Sequence, residues 1–155
     1  NERGGEREEQ EAIWTLSGQD HVAERAAELI RNAQDDVVFA ARSPDLVTAD
    51  IAGALRDAAD GGVTVRVVSV DPEVRELFAD APAVAAMGTP DPAVDDERTG
   101  RAVLADGDVV LMSVLGDRED VPELTTETAF WTASTNFATV LYELAMNSLT
   151  PREVA

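Results

Sequence analysis

The fold class predicted is α/β: a mostly parallel central sheet, flanked by helices, with an added hairpin. Three observations predict it. Strand-like runs at 13–16, 37–41 and 63–70 alternate with amphipathic helical stretches, the order of parallel strands joined by right-handed crossovers. Thr99 to Ser113 reads as strand, tight turn, strand around Asp106-Gly107, a pair suited to a turn needing two positive φ values. A final strand, Thr128 to Thr132, leads into a helix over Thr135 to Ser148. The 155 residues are one domain's worth of chain.

Each element has its own signal. Asn1 to Gln10 is charged and aperiodic, and reads as a linker or disordered stub before a domain at 11–150. Ile13-Trp14-Thr15-Leu16 is a short strand, and Ser17 or Asp20 can cap the helix after it. Val22, Ala26, Leu29, Ile30 and Ala33 fall on one face of that helix. Val37 to Ala41 is a continuous apolar run, as expected of a strand covered on both faces. The next helix is expected near Asp45, with Val47, Ile51, Leu55 and Ala58 inward, and ends at Gly61-Gly62. Val63 to Val70 forms the third strand. Glu73 to Ala79 is a short helix, and residues 80 to 98 are expected to be a loop acting as a lid over a ligand. In the last helix Phe137, Leu141 and Leu144 are expected inward, and 151–155 is a tail beginning at Pro151.

Composition narrows the function. Thirty-one acidic residues face twelve basic ones, for a formal charge of −19, and all twelve are Arg. Such self-repulsion weakens a compact state at low salt and is screened at high salt. An acid-rich, Lys-free chain resembles the cytoplasmic proteins of salt-accumulating halophiles. By itself it is not expected to bind nucleic-acid phosphates. There is no Cys and only one His, His21, so thiolate and His-cluster metal sites are excluded. No cofactor is expected. No apolar run approaches the ~18 residues of a membrane span.

Thr99-x-Arg101-x-x-x-x-Asp106 resembles the phospholipase D motif His-x-Lys-x-x-x-x-Asp, with Thr and Arg where that family has its catalytic His and Lys. Phosphodiester chemistry of that kind needs a His nucleophile, a cation for the phosphate and a carboxylate to orient the His. The resemblance therefore implies a phospholipase D-like fold without the catalysis, and no enzyme activity is expected. Gly-x-Ser-x-Gly, phosphate-loop and dinucleotide signatures are absent.

The overall order resembles the effector-binding domain of TrmB-type archaeal transcription regulators. The resemblance rests on Ile13-Trp14-Thr15-Leu16-Ser17-Gly18, Gly61-Gly62-Val63-Thr64-Val65-Arg66-Val67, Leu104-Ala105-Asp106-Gly107-Asp108-Val109-Val110-Leu111, and Glu127-Thr128-Ala129-Phe130-Trp131-Thr132 leading to Asn136. It implies a cytoplasmic domain that senses a small effector, a sugar or sugar phosphate. DNA would be reached only through a separate N-terminal module, outside this chain. It also implies a twofold homodimer with two motif hairpins facing a shared cleft. A module for dimerisation or protein interaction, without a ligand, is the alternative.

Ligands of parallel sheets sit at the carboxyl ends of the strands. The expected contact residues are Arg42 and Ser43 after the second strand, and Val70 and Asp71 after the third. The hairpin adds Thr99 and Arg101, and Ser113, Glu127 and Asn136 are further candidates. Two arginines in one crevice would favour an anionic metabolite. The competing reading is that Arg42 and Arg101 pair with neighbouring acids.

Overall fold

The computed structural model describes residues 13–88, 99–117 and 125–149. The expected linker at 1–10, the tail at 151–155 and the 89–98 part of the expected lid lie outside the described residues.

One seven-stranded sheet runs in the order β1-β7-β6-β5-β2-β3-β4. Its strands are β1 (Trp14–Ser17), β2 (Asp36–Ala41), β3 (Thr64–Val68), β4 (Val84–Met87), β5 (Thr99–Ala105), β6 (Val109–Asp117) and β7 (Thr125–Ala133). Only β2·β3 and β3·β4 are parallel. The four other pairings are antiparallel, which corrects the expectation of a mostly parallel sheet. The reason is the place of the hairpin. β5 is not appended at an edge; it inserts beside β2, with Val37 opposite Ala105 and Ala41 opposite Arg101. β6, joined to β5 by a tight turn, runs antiparallel to it, and β7 continues the antiparallel pattern beside β6. The turn itself is as expected: Asp106 and Gly107 have φ of 54° and 82°.

Helices α1 (Gln19–Asn32) and α2 (Ala49–Asp60) cover one face. Val22, Ala26 and Ile30 of α1 and Ile51 and Leu55 of α2 pack there on Val37, Phe39, Val65, Val103 and Leu111. A short α3 (Pro72–Glu76) adds Val74 to this core. Helix α4 (Asn136–Leu149) lies on the opposite face, where Leu141, Tyr142, Ala145 and Met146 pack on Val38, Val68, Leu104 and Val110.

Four local expectations are corrected. Gly18, not Ser17 or Asp20, is the N-cap of α1, without a side-chain cap bond. A 3-10 turn occupies Pro44–Leu46, and α2 begins only at Ala49, where the Thr48 side chain accepts from the Ile51 amide. β4 forms inside the expected loop; its four residues were too few to show periodicity. In α4 the inward set is Leu141, Tyr142, Ala145 and Met146, with Ala138 buried, while Phe137 and Leu144 are exposed. The Tyr142 hydroxyl donates to Asp36 Oδ2 at 2.9 Å, a bond that requires this face of the helix to turn to the sheet.

Candidate functional site: a closed polar knot under the strand ends

The carboxyl ends of β2 and β3, the start of β5 and the far ends of β6 and β1 meet at one end of the sheet, together with the start of β7. Strand alternation places Arg101, Ser113 and Glu127 on the α1/α2 face here, in phase with Val103, Leu111 and Ala129. All three are buried, Arg101 to 2% exposure and Glu127 to 1%.

They form a closed network. Arg101 Nε donates to Glu127 Oε2 at 2.9 Å and its Nη2 to Oε1 at 2.6 Å, a bidentate pair. Nη1 donates to the Leu46 carbonyl at 2.6 Å and Nη2 also to the Gln19 carbonyl at 3.1 Å. Ser113 Oγ donates to Glu127 Oε2 at 2.7 Å and accepts from the Arg101 amide at 2.9 Å. Four of the five guanidinium hydrogens are thus engaged by these bonds. The ladder is irregular between Thr99 and Ala102. Gly100 makes the approach possible: a Cβ there would stand 2.5 Å from Ser113 Oγ and 3.4 Å from Glu127 Oε2.

Above this knot the mouth holds Arg42, Ser43, Val70, Asp71 and Thr99. Ser43 Oγ donates to Asp45 Oδ1 at 2.5 Å. Asp71 caps α3 by accepting from the Glu73 amide at 2.8 Å. Ser69 is buried between the strands, donating to the Ala41 carbonyl at 2.6 Å and accepting from the Asp71 amide at 3.0 Å. The structure therefore brings eight of the nine predicted site residues to one end. Asn136 is the exception. It follows β7 at the opposite end, where Ala133 pairs with Val109.

Asp106, the one motif residue kept, also lies at that opposite end. Its carboxylate accepts from the amides of Asp35 at 2.8 Å, Gln34 at 2.9 Å and Asp36 at 3.1 Å. Burial pushes its pKa up, but the three amides outweigh burial and hold it below the usual carboxylate value. It fastens the β5–β6 turn to the start of β2 and orients nothing at the mouth. Nearby, burial first and then the Asp36 carboxylate push the Tyr142 phenol up to about 12.

Sequence reasoning missed Gly100 and Ser69. It named Arg101, Ser113 and Glu127 but not their mutual contact. Their phase was a readable signal, since each charged or polar side chain shares its strand face with core residues. Among the described residues no group of His, Asp and Glu could hold a metal ion. A cleft of about 310 Å³ lies elsewhere, at the β4 edge against α2, lined by Arg56, Asp60, Asp80 and Val84 among others, and contains none of the predicted residues.

A family model described as transcriptional regulator TrmB, EBD N-terminal subdomain, matches residues 12–146. No curated protein sequence matches the chain. Among solved structures, TrmBL2, an archaeal chromatin protein with a novel mode of DNA binding, superposes with a TM-score of 0.62 at 14% identity. That match covers 89% of this chain and 52% of that one, so the chain spans about half of TrmBL2. Nuc from Salmonella typhimurium, a phospholipase D family member, gives 0.62 at 12% identity, covering 92% of this chain and 100% of that one. NucT from Helicobacter pylori gives 0.59 at 15%, covering 91% and 100%. At these identities the likeness concerns the fold, which is phospholipase D-like.

Proposed function

The chain belongs to the TrmB family of transcriptional regulators, and from that premise we propose that it is a non-catalytic effector-sensing domain. It takes a small metabolite, a sugar or sugar phosphate, at the mouth formed by Arg42, Ser43, Asp71 and Thr99. It works as a twofold homodimer and reaches DNA through a separate N-terminal module. The observation that carries the reading is the knot beneath the mouth. Arg101 stands at the motif's cation position, yet its guanidinium is committed to Glu127 and two carbonyls. Gripping a phosphate would require breaking a buried pair, and no imidazole stands at Thr99 to attack one. The committed Arg101 no longer supplies the positive well that favoured an anion. A neutral sugar and a sugar phosphate are therefore both kept.

The test is a melting screen of neutral sugars and sugar phosphates in concentrated KCl, where a ligand at ~100 Kd adds about 2.7 kcal/mol. Hits should lose affinity in Arg42→Ala and Ser43→Ala. Turnover of a chromogenic phosphodiester that disappears in Thr99→Ala would overturn the non-catalytic reading. Hits unaffected by the Arg42 and Ser43 changes would place the pocket elsewhere.

A further inference from the structure

Helix α4 covers only part of its face of the sheet. On that face β6, β7 and β1 present Met112, Val114, Gly116, Thr126, Thr128, Phe130, Thr15 and Ser17, in register as Met112 with Phe130, Val114 with Thr128, and Ser17 with Thr128. Val114 is 57% exposed. Thr15, Ser17, Thr126 and Thr128 are exposed too. None of these residues is charged, in a chain of which 28% is charged.

The helix supplies a wall to this floor. At about 100° per residue, Phe137 and Leu144 share the flank beside Leu141, and Val140 continues it outward to the solvent side, where Asn147 and Glu143 follow. Phe137, Val140 and Leu144 are 37%, 56% and 59% exposed. The right-handed sense of the β2–α2–β3 crossover, with α2 on the other face, turns this flank toward β6, β7 and β1. The named floor and wall residues are all uncharged, a step bordered on its outer side by Glu143, in a chain of net charge −19.

We infer that this step is where a second copy of the chain docks, the apolar flank of each α4 lying on the β6–β7 floor of the other. The inference rests on the homodimer proposed above and gives it a face. Charge selects the occupant. Two copies carrying −19 each repel through acidic surfaces. An uncharged step lets them meet without setting carboxylates against one another. The shape is self-complementary as well, since each copy offers both a ridge and a floor, which an isologous contact needs. The motif hairpin mouth, with Asp45 and Asp71 beside it, lacks this neutrality.

The experiment uses the full chain in ~2 M KCl, where the Debye length is only a few ångströms. Light scattering and sedimentation should show a dimer. Val140→Glu and, separately, Val114→Glu should weaken it by roughly tenfold or more while circular dichroism stays unchanged. The chain has no Cys, so a mixture of Leu144→Cys and Thr128→Cys chains joined by a short bis-maleimide reports the contact directly. A mixed cross-linked dimer is expected. A dimer that survives both Glu substitutions and cross-links through Thr99→Cys would keep the twofold and overturn this face. A monomer at every concentration would overturn both, and assign the step to another segment or partner.

Discussion

Arg101 is a buried cation held by one carboxylate and two carbonyls. A guanidinium at this depth is tolerated only because its charge and nearly all its donors are satisfied. Removing one partner should therefore cost far more than removing both. Arg101→Met is expected to destabilise by about 3–5 kcal/mol, and Arg101→Met with Glu127→Leu to recover most of that loss. Denaturant titration in concentrated KCl measures the cycle; additive losses would mean that the pair is not coupled. Gly100→Ala should cost about 1–3 kcal/mol, because the Ser113 hydroxyl or the Glu127 carboxylate has to move away. Asp106 behaves differently at the far end. Its pKa is lowered on folding, so its contribution is complete above the ordinary carboxylate range and is lost as pH falls through the depressed value. Asp106→Ala should cost about 1–3 kcal/mol at neutral pH and progressively less in acid, read from denaturation midpoints.

At the scale of elements, α4 is anchored to the sheet through Tyr142. Its tyrosine is the only one in the chain, so its phenolate absorbance can be read alone. It should titrate at about 12, and Asp36→Asn should bring that value down. The sign is that of a raised pKa: the neutral phenol's contribution is intact below the ordinary value near ~10 and is lost as pH rises through the folded one. Helix identity was legible in 135–148, but its phase was not. Apolar residues occur on two flanks, and periodicity cannot choose between a core-facing stripe and a surface one. What decides is a long-range bond from Tyr142 to Asp36, which no local pattern contains. The same limit applies to the sheet. Val37 to Ala41 announced a strand covered on both faces, but not that β5 would flank it antiparallel. At the site, the chain positions of Arg101, Ser113 and Glu127 were readable from the motif and the last strand. Their closure into one knot was not, because it depends on Gly100 and on carbonyls of Gln19 and Leu46 from distant elements.

At the scale of the molecule, charge and topology set the behaviour. With −19 on 155 residues, circular dichroism between ~0.1 M and ~2 M KCl should show structure gained with salt. Equal stability at both ends would remove self-repulsion as a factor. Topology adds a constraint of another kind. Among the described residues β1 pairs only with β7, as Trp14 with Trp131. The two indoles stack there at 4.4 Å between centroids. A chain emerging from the ribosome can therefore build β2, β3 and the β5–β6 hairpin while β1 still waits for its mate. Until Glu127 emerges, Arg101 is a cation without its counter-ion, so the interior under the mouth cannot close early. β7 thus acts as a latch: one strand seats β1 and neutralises the buried charge in the same step.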